Sequence, residues 1–129
     1  DKNSSAPVIC LQEEQKLIKN MGATMRLGAY PAHIAPDTLC SKLYGGKETI
    51  SERHRHRYEF NAEYREACEK AGLVISAVND EHGLVEVVEL PSHPHFIACQ
   101  YHPEFQSRPT TPHPLFSGLV AAALEYKLG

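Results

Sequence analysis

A chain of 129 residues with 42% hydrophobic and 22% charged side chains has the composition of one modest globular domain. Its formal net charge of −3 argues against general nucleic-acid binding, which usually needs a basic face. No apolar run approaches the roughly 20 residues of a membrane helix, so we expect no membrane partner. The four cysteines are scattered without a Cys-x-x-Cys pair, which is typical of a reduced, cytoplasmic protein. The polar start lacks a signal peptide and an initiator Met, and we expect it to be processed or cut from something longer.

Apolar runs and turn signals alternate along the chain and predict a mixed α/β order. The predicted strands cover 6–11, 24–30, 73–78, 84–90 and 96–101, and the predicted helices follow Pro36 or cover 62–71 and 115–128. Asp37 is the expected N-cap of the first helix, and Gly72 ends the second. The strands at 73–78 and 84–90 form a hairpin, and the last helix has an apolar stripe on one face.

His102 and Glu104 flank Pro103 where the predicted strand 96–101 meets the surface. Residues i and i+2 of an extended segment point to the same side, about 7 Å apart, so the two side chains emerge together. Pro103 fixes its own φ and favours extended geometry at His102. An imidazole oriented by a carboxylate is two thirds of a catalytic triad. The simpler interpretation is a turn that ends a strand.

The run from Arg53 to Arg57 alternates arginine and histidine and has several interpretations. If it is extended, the arginines share one face, and His54, His56 and Tyr58 share the other. A solvated edge strand, a metal site and a nucleic-acid contact are all open, and so is recognition of a small anion by a guanidinium. The lack of a third ligand at a recognised spacing weakens the metal interpretation. The overall acidity weakens the nucleic-acid one.

The chain offers no clear nucleophile to complete a triad. Cys99 lies three residues before His102, an odd offset that places it on the opposite face of a strand. Cys10 lacks the small residues that a nucleophile elbow needs two positions before and after it, since Val8 and Gln12 stand there. No serine lies in a G-x-S-x-G frame. The residues therefore predict a base and its orienting group without a nucleophile.

Three segments resemble the glutaminase domain of the CTP synthase family. They are Gly22-Ala23-Thr24-Met25-Arg26-Leu27-Gly28, the run from Glu52 to Asn61, and Gln100-Tyr101-His102-Pro103-Glu104-Phe105. Many class I glutamine amidotransferases share His-Pro-Glu, whereas Glu-Arg-His-Arg-His-Arg-Tyr-Glu is far more specific. The resemblance implies a class I glutamine amidotransferase-like α/β fold, a flavodoxin-like layered sheet with parallel strands and flanking helices. It also implies that residues 1–129 are the C-terminal portion of that domain. The nucleophile elbow and the synthase domain would then be absent from this chain.

The same resemblance implies roles for individual side chains. His102 is similar to the general base and Glu104 to the group that orients it. Arg57 is similar to the arginine that pairs with the α-carboxylate of glutamine, and Tyr58 lies beside it in the pocket wall. Arg26 is a possible contact to an effector or to another domain, and no metal site is implied.

The implied activity is glutamine hydrolysis that supplies ammonia for the ATP-dependent amination of UTP to CTP by a cytoplasmic ligase. This chain alone is expected to be inactive without the upstream Cys. It would hold no cofactor: ATP and Mg belong to the synthase domain, and GTP is the expected allosteric effector. Glutamine, the missing domains and further copies of a homo-oligomer are the expected partners. Two alternatives remain, a non-catalytic amidotransferase-like partner module and a metal module that uses His54, His56, His93 or His95.

Overall fold

The computed structural model describes residues 3–11 and 25–129. Its strands are β1 (Ile9–Leu11), β2 (Arg26–Ile34), β3 (Thr49–His56), β4 (Tyr58–Phe60), β5 (Val74–Asn79), β6 (Leu84–Glu89) and β7 (Ile97–Cys99). Its helices are α1 (Leu39–Leu43), α2 (Arg65–Lys70) and α3 (Pro114–Leu128), with 3₁₀ turns at Ala62–Tyr64 and Pro103–Phe105. The start of the motif at Gly22 and of the strand predicted from Thr24 lies outside the described residues. Within the described ranges, no helix is long and apolar enough to cross a membrane.

The strands form a five-stranded sheet in the order β3-β2-β5-β6-β7 and a two-stranded sheet of β1 and β4. Each of the named strands pairs with its neighbours antiparallel. The predicted hairpin is confirmed as β5 and β6, whose short connection permits an antiparallel pair but no parallel crossover. The parallel strands that the resemblance implied are therefore not found in the described part of the chain.

Local geometry moves three predicted boundaries. Thr38, rather than Asp37, is the N-cap of α1, because its hydroxyl accepts the Ser41 amide hydrogen at 3.1 Å while Asp37 adopts a left-handed φ of 59°. The helix predicted over 62–71 is divided into the 3₁₀ turn and α2. The strand predicted over 96–101 shortens to β7, which has a paired neighbour on one side only in the described sheet.

The core lies between the five-stranded sheet and the helices α1 and α3. Its buried members are Ala32, Ile34, Cys40, Tyr44, Ile50, Ala77, Val87, Tyr101 and Leu115. Gly118 lets α3 approach α1 closely, since a Cβ at this position would lie 2.5 Å from Leu43 Cδ2. Only one end of the predicted apolar stripe of α3 is buried: Leu119, Val120 and Leu124 are more than half exposed. The buried residues of α3 are Leu115 and Gly118, both in the first half of the helix, so the rest of the stripe is not covered by the described core.

Candidate active site

His102 and Glu104 form a hydrogen-bonded pair just beyond β7. The Nδ1 atom of His102 lies 2.6 Å from Oε1 of Glu104. His102 is extended, at φ −106° and ψ 90°, and Pro103 then begins the 3₁₀ turn. The predicted proximity is therefore correct, but a turn creates it rather than the continuing strand.

The contacts of His102 define its tautomer and its ring plane. An ionised carboxylate can only accept, so Nδ1 carries the hydrogen and a neutral ring leaves Nε2 as a free acceptor. The ring stacks on Phe105, with centroids 5.1 Å apart and planes inclined by 20°. The hydrogen bond from His102 holds the pKa of Glu104 below its ordinary value, assisted by a backbone hydrogen bond. The pair thus has the geometry of an imidazole oriented by a carboxylate, at a partly exposed surface.

Arg57 and Tyr58 lie together where β3 passes into β4, and both are exposed. Tyr58 pairs with Leu11 of β1, so this turn joins the two sheets. The strand β3 also reaches the dyad, because the Arg53 carbonyl accepts the His102 amide hydrogen at 2.9 Å. Arg57 follows Arg53 by a few residues, on the order of 13 Å along an extended chain. The strand β3 therefore contacts the His102–Glu104 segment at Arg53 and ends next to Arg57, the predicted carboxylate-binding arginine.

Arg26 is buried, with 6% of its surface exposed, inside a cluster of ionisable side chains. Its guanidinium lies 2.5 Å from Glu86 and 3.9 Å from Glu59. It also stacks over Tyr30 at 4.3 Å from the ring centroid. Arg26 therefore contacts Glu59, Glu86 and Tyr30 within the fold. Its predicted contact with an effector or another domain stays a prediction.

Burial controls the protonation of the groups around Arg26. It raises the pKa of Glu59 to about 7 and raises that of Glu86, while Arg26 opposes both shifts. Burial lowers the pKa of His54 to about 3 and lowers that of His56, and the positive charge of Arg26 adds to both shifts. The histidines of the basic run are therefore neutral at physiological pH.

The two neutral histidines form a hydrogen-bonded chain. The Tyr58 carbonyl can only accept, so His56 donates from Nδ1 at 3.0 Å. His56 Nε2 then accepts from His54 Nδ1 at 2.8 Å. Because these contacts occupy three of the four ring nitrogens, they favour a structural role over the metal alternative. Among the residues that the structure describes, no group of three or more His, Cys, Asp or Glu could hold a metal ion. His93 and His95 belong to an exposed turn, where the His95 amide donates to His93 Nδ1.

The cysteines at 40 and 99 are poor candidates for a nucleophile. The Cys99 thiol donates to the Tyr101 carbonyl at 3.3 Å, and burial raises its pKa to about 12. Cys40 is fully buried, and burial likewise raises its pKa to about 12. Thiolate formation at either residue is strongly disfavoured at neutral pH.

Sequence reasoning missed the buried partners of the dyad-bearing segment and of Arg26. Glu52 and Glu86 are 5% and 1% exposed, and neither was predicted to be buried. For Glu52 a signal was available, since it shares the period-two face of β3 with Ile50 and His54. That alternation of exposed and buried residues agrees with the predicted division of the basic run into an arginine face and a histidine face.

The α/β fold with the His102–Glu104 pair defines the class of protein to which the chain is similar. The chain matches the family described as "Glutamine amidotransferase class-I" over residues 3–122. It therefore belongs to the class-I glutamine amidotransferase family, which confirms the predicted fold class.

Similar proteins narrow the resemblance further. The chain is 60% identical to a CTP synthase of Fibrobacter succinogenes over 129 residues, which is 98% of this chain and 23% of that protein. It is 58% identical to a CTP synthase of Trichormus variabilis over 124 residues, or 96% of this chain and 23% of that protein. A solved structure, the Trypanosoma brucei CTPS glutaminase domain with bound acivicin, aligns with a TM-score of 0.88 and 41% identity. That alignment covers 97% of this chain and 48% of the solved chain. The predicted resemblance is confirmed, and the chain spans about a quarter of its curated relatives.

Proposed function

We propose that this chain is the C-terminal portion of the glutaminase domain of a CTP synthase. In that protein it would contribute the base and the orienting carboxylate of a Cys-His-Glu triad. The support is the contact of 2.6 Å between His102 and Glu104, which leaves Nε2 free to face a nucleophile. Similarity to CTP synthases over nearly the whole chain supports the same assignment.

The proposed reaction begins at a Cys that lies upstream of this chain. Its thiol loses a proton to Nε2 of His102, and the thiolate attacks the side-chain amide carbon of glutamine. The protonated imidazole returns a proton to the departing nitrogen, which leaves as ammonia. Glu104 accepts the hydrogen bond from Nδ1 of His102 throughout and stabilises the imidazolium. Water then hydrolyses the γ-glutamyl thioester and regenerates the thiol.

Substrate binding is proposed for the turn between β3 and β4. Arg57 would pair with the α-carboxylate of glutamine, since a guanidinium offers two parallel donors to a carboxylate. Tyr58 would form the adjacent pocket wall. Both side chains are exposed, which makes them accessible to a ligand.

The remaining properties of the parent protein are proposals from the similarity. The ammonia would reach a synthase domain that binds ATP and Mg and aminates UTP to CTP. GTP would act as the allosteric effector, and the protein would be a cytoplasmic homo-oligomer of pyrimidine biosynthesis. These functions belong to segments outside the 129 residues.

The test compares two nitrogen sources in the longer protein that contains this chain. His102→Ala should lower glutamine-dependent CTP formation by at least about 1,000-fold, because the triad loses its base. CTP formation from added ammonium chloride should stay within about twofold, since free ammonia bypasses the glutaminase reaction.

His95→Ala is the matched control, because His95 lies on an exposed turn before β7, the strand that His102 follows. It should leave both activities near the wild-type values. If His102→Ala kept normal glutamine use, His102 would not be the base. A wild-type protein that formed no CTP from either source would contradict the CTP synthase assignment and favour the non-catalytic module.

A further inference from the structure

Glu52 lies in β3 beneath the dyad and accepts hydrogen bonds from three side chains. It is 5% exposed. Its Oε1 atom lies 2.9 Å from the Tyr44 hydroxyl and 3.0 Å from His113 Nε2. Its Oε2 atom lies 2.6 Å from Gln106 Nε2. The buried carboxylate is therefore fully partnered.

The direction of each of these hydrogen bonds follows from the partner atoms. His113 Nδ1 accepts the Leu115 amide hydrogen at 3.2 Å, so the ring hydrogen lies on Nε2 and points to Glu52. Tyr44 has one hydroxyl hydrogen and directs it to the same carboxylate. The Tyr101 hydroxyl, 2.9 Å from that of Tyr44, must then donate to the Tyr44 oxygen. Burial raises the pKa of both phenols, which keeps these donors protonated.

Two residues of this network, Tyr101 and Gln106, flank the His102–Glu104 pair along the chain. Tyr101 immediately precedes His102, and Gln106 follows the 3₁₀ turn that contains Glu104. Gln106 Nε2 also donates to the Ser51 carbonyl at 2.9 Å. The neighbouring Arg53 carbonyl accepts the His102 amide hydrogen. Three successive residues of β3 thus hold the segment on both sides of the imidazole.

We propose that Glu52 is a positioning residue for the glutaminase reaction, holding the His102 turn through Gln106 on one side and through Tyr44 and Tyr101 on the other. The proposal rests on the proposed function of His102. Glu52 hydrogen-bonds Gln106 directly and reaches Tyr101 through the Tyr44 hydroxyl, and its carboxylate sets where the imidazole stands relative to a nucleophile.

The chemistry requires a carboxylate at this position. Three donors converge on its two oxygens, and a carboxylate offers acceptor sites for all of them. A glutamine side chain of the same shape has one oxygen and one NH₂ group. The NH₂ group would face a donor in either orientation, so one side of the support would lose its hydrogen bond.

The test measures Glu52→Gln and Gln106→Met in the longer protein. Each should lower the glutamine-dependent kcat by about 10- to 100-fold, the range seen when a supporting partner of a reacting group is lost. The KM for glutamine should change less than about twofold, because Arg57 lies beyond the end of β3, in the turn to β4. Ammonia-dependent CTP formation should also stay within about twofold of wild type.

Glu48→Gln is the matched control, because Glu48 is an exposed carboxylate just before β3. It should leave all three quantities unchanged. Gln106→Met keeps the test valid if Glu52→Gln folds poorly, since Gln106 is exposed. Wild-type glutamine kcat in Gln106→Met, or equal loss of both activities in both variants, would overturn the positioning role.

His102→Ala, assayed beside these variants, separates the two proposals. If it abolishes glutamine use while Glu52→Gln and Gln106→Met keep the wild-type glutamine kcat, the positioning role alone fails. If it leaves glutamine use intact, the proposed function fails first.

Discussion

Replacing the buried Arg26 with Met should destabilise the fold in a strongly pH-dependent way. Arg26, Glu59 and Glu86 are 6%, 2% and 1% exposed, so the two carboxylates have little access to solvent. Without the guanidinium they must stay charged in the interior or take up protons. Loss of one partner of a buried ion pair typically costs about 3–5 kcal/mol in the free energy of unfolding.

The pH dependence follows from the cost of that proton uptake. Protonating a carboxyl group with an ordinary pKa of 4.5 costs about 1.4 kcal/mol for each pH unit by which the solution lies above this value. The cost for one group is about 5 kcal/mol at pH 8 and about 1.4 kcal/mol at pH 5.5. We therefore expect Arg26→Met to lose about 3–5 kcal/mol at pH 8 and about 1–2 kcal/mol at pH 5.5.

The assay is urea unfolding at the two pH values, followed by far-UV circular dichroism. Arg55→Met is the control, since Arg55 is exposed on the opposite face of β3, and it should change stability by less than about 0.5 kcal/mol. Adding Glu86→Gln to Arg26→Met should recover about 1–2 kcal/mol at pH 8, because a neutral amide needs no proton. A loss below about 1 kcal/mol at pH 8, or equal losses at both pH values, would refute this reasoning.

Three further predictions concern the His102–Glu104 pair and the buried thiols. Glu104→Gln should lower glutamine-dependent turnover by at least about 100-fold and retain ammonia-dependent turnover. The reason is that a neutral amide does not require His102 to carry its hydrogen on Nδ1. Steady-state assays with both nitrogen sources check this prediction. Because its pKa is lowered, the Glu104 carboxylate should stay ionised as pH falls through 4.5 and lose its contact with His102 only below that value, as carboxyl carbon NMR shifts would report. Cys40 and Cys99 should resist iodoacetamide at pH 8 in the folded protein and react after denaturation, since burial raises both pKa values to about 12. Rapid labelling of either residue in the native state, detected by mass spectrometry of peptides, would contradict that burial.

Local sequence determined several features of this protein by itself. The i, i+2 spacing around Pro103 was enough to predict that His102 and Glu104 meet, because both extended and 3₁₀ geometry keep them within reach. Period-two alternation predicted that the arginines and histidines of β3 lie on opposite faces, and the arginines are on the exposed one. Extended motifs around these residues also identified the family, which the comparisons confirm.

The tertiary structure decided which polar side chains become buried and what they contact. Arg26 meets Glu86, and Glu52 meets His113, across long stretches of chain, through strand pairing and helix placement that no local pattern encodes. The shortened β7 and the exposed stripe of α3 depend in the same way on which neighbours cover them. Side-chain periodicity is a property of adjacent residues, whereas burial and ion pairing depend on the elements packed opposite. For that reason the sequence identified the His102–Glu104 pair, and only the fold revealed the buried residues around it.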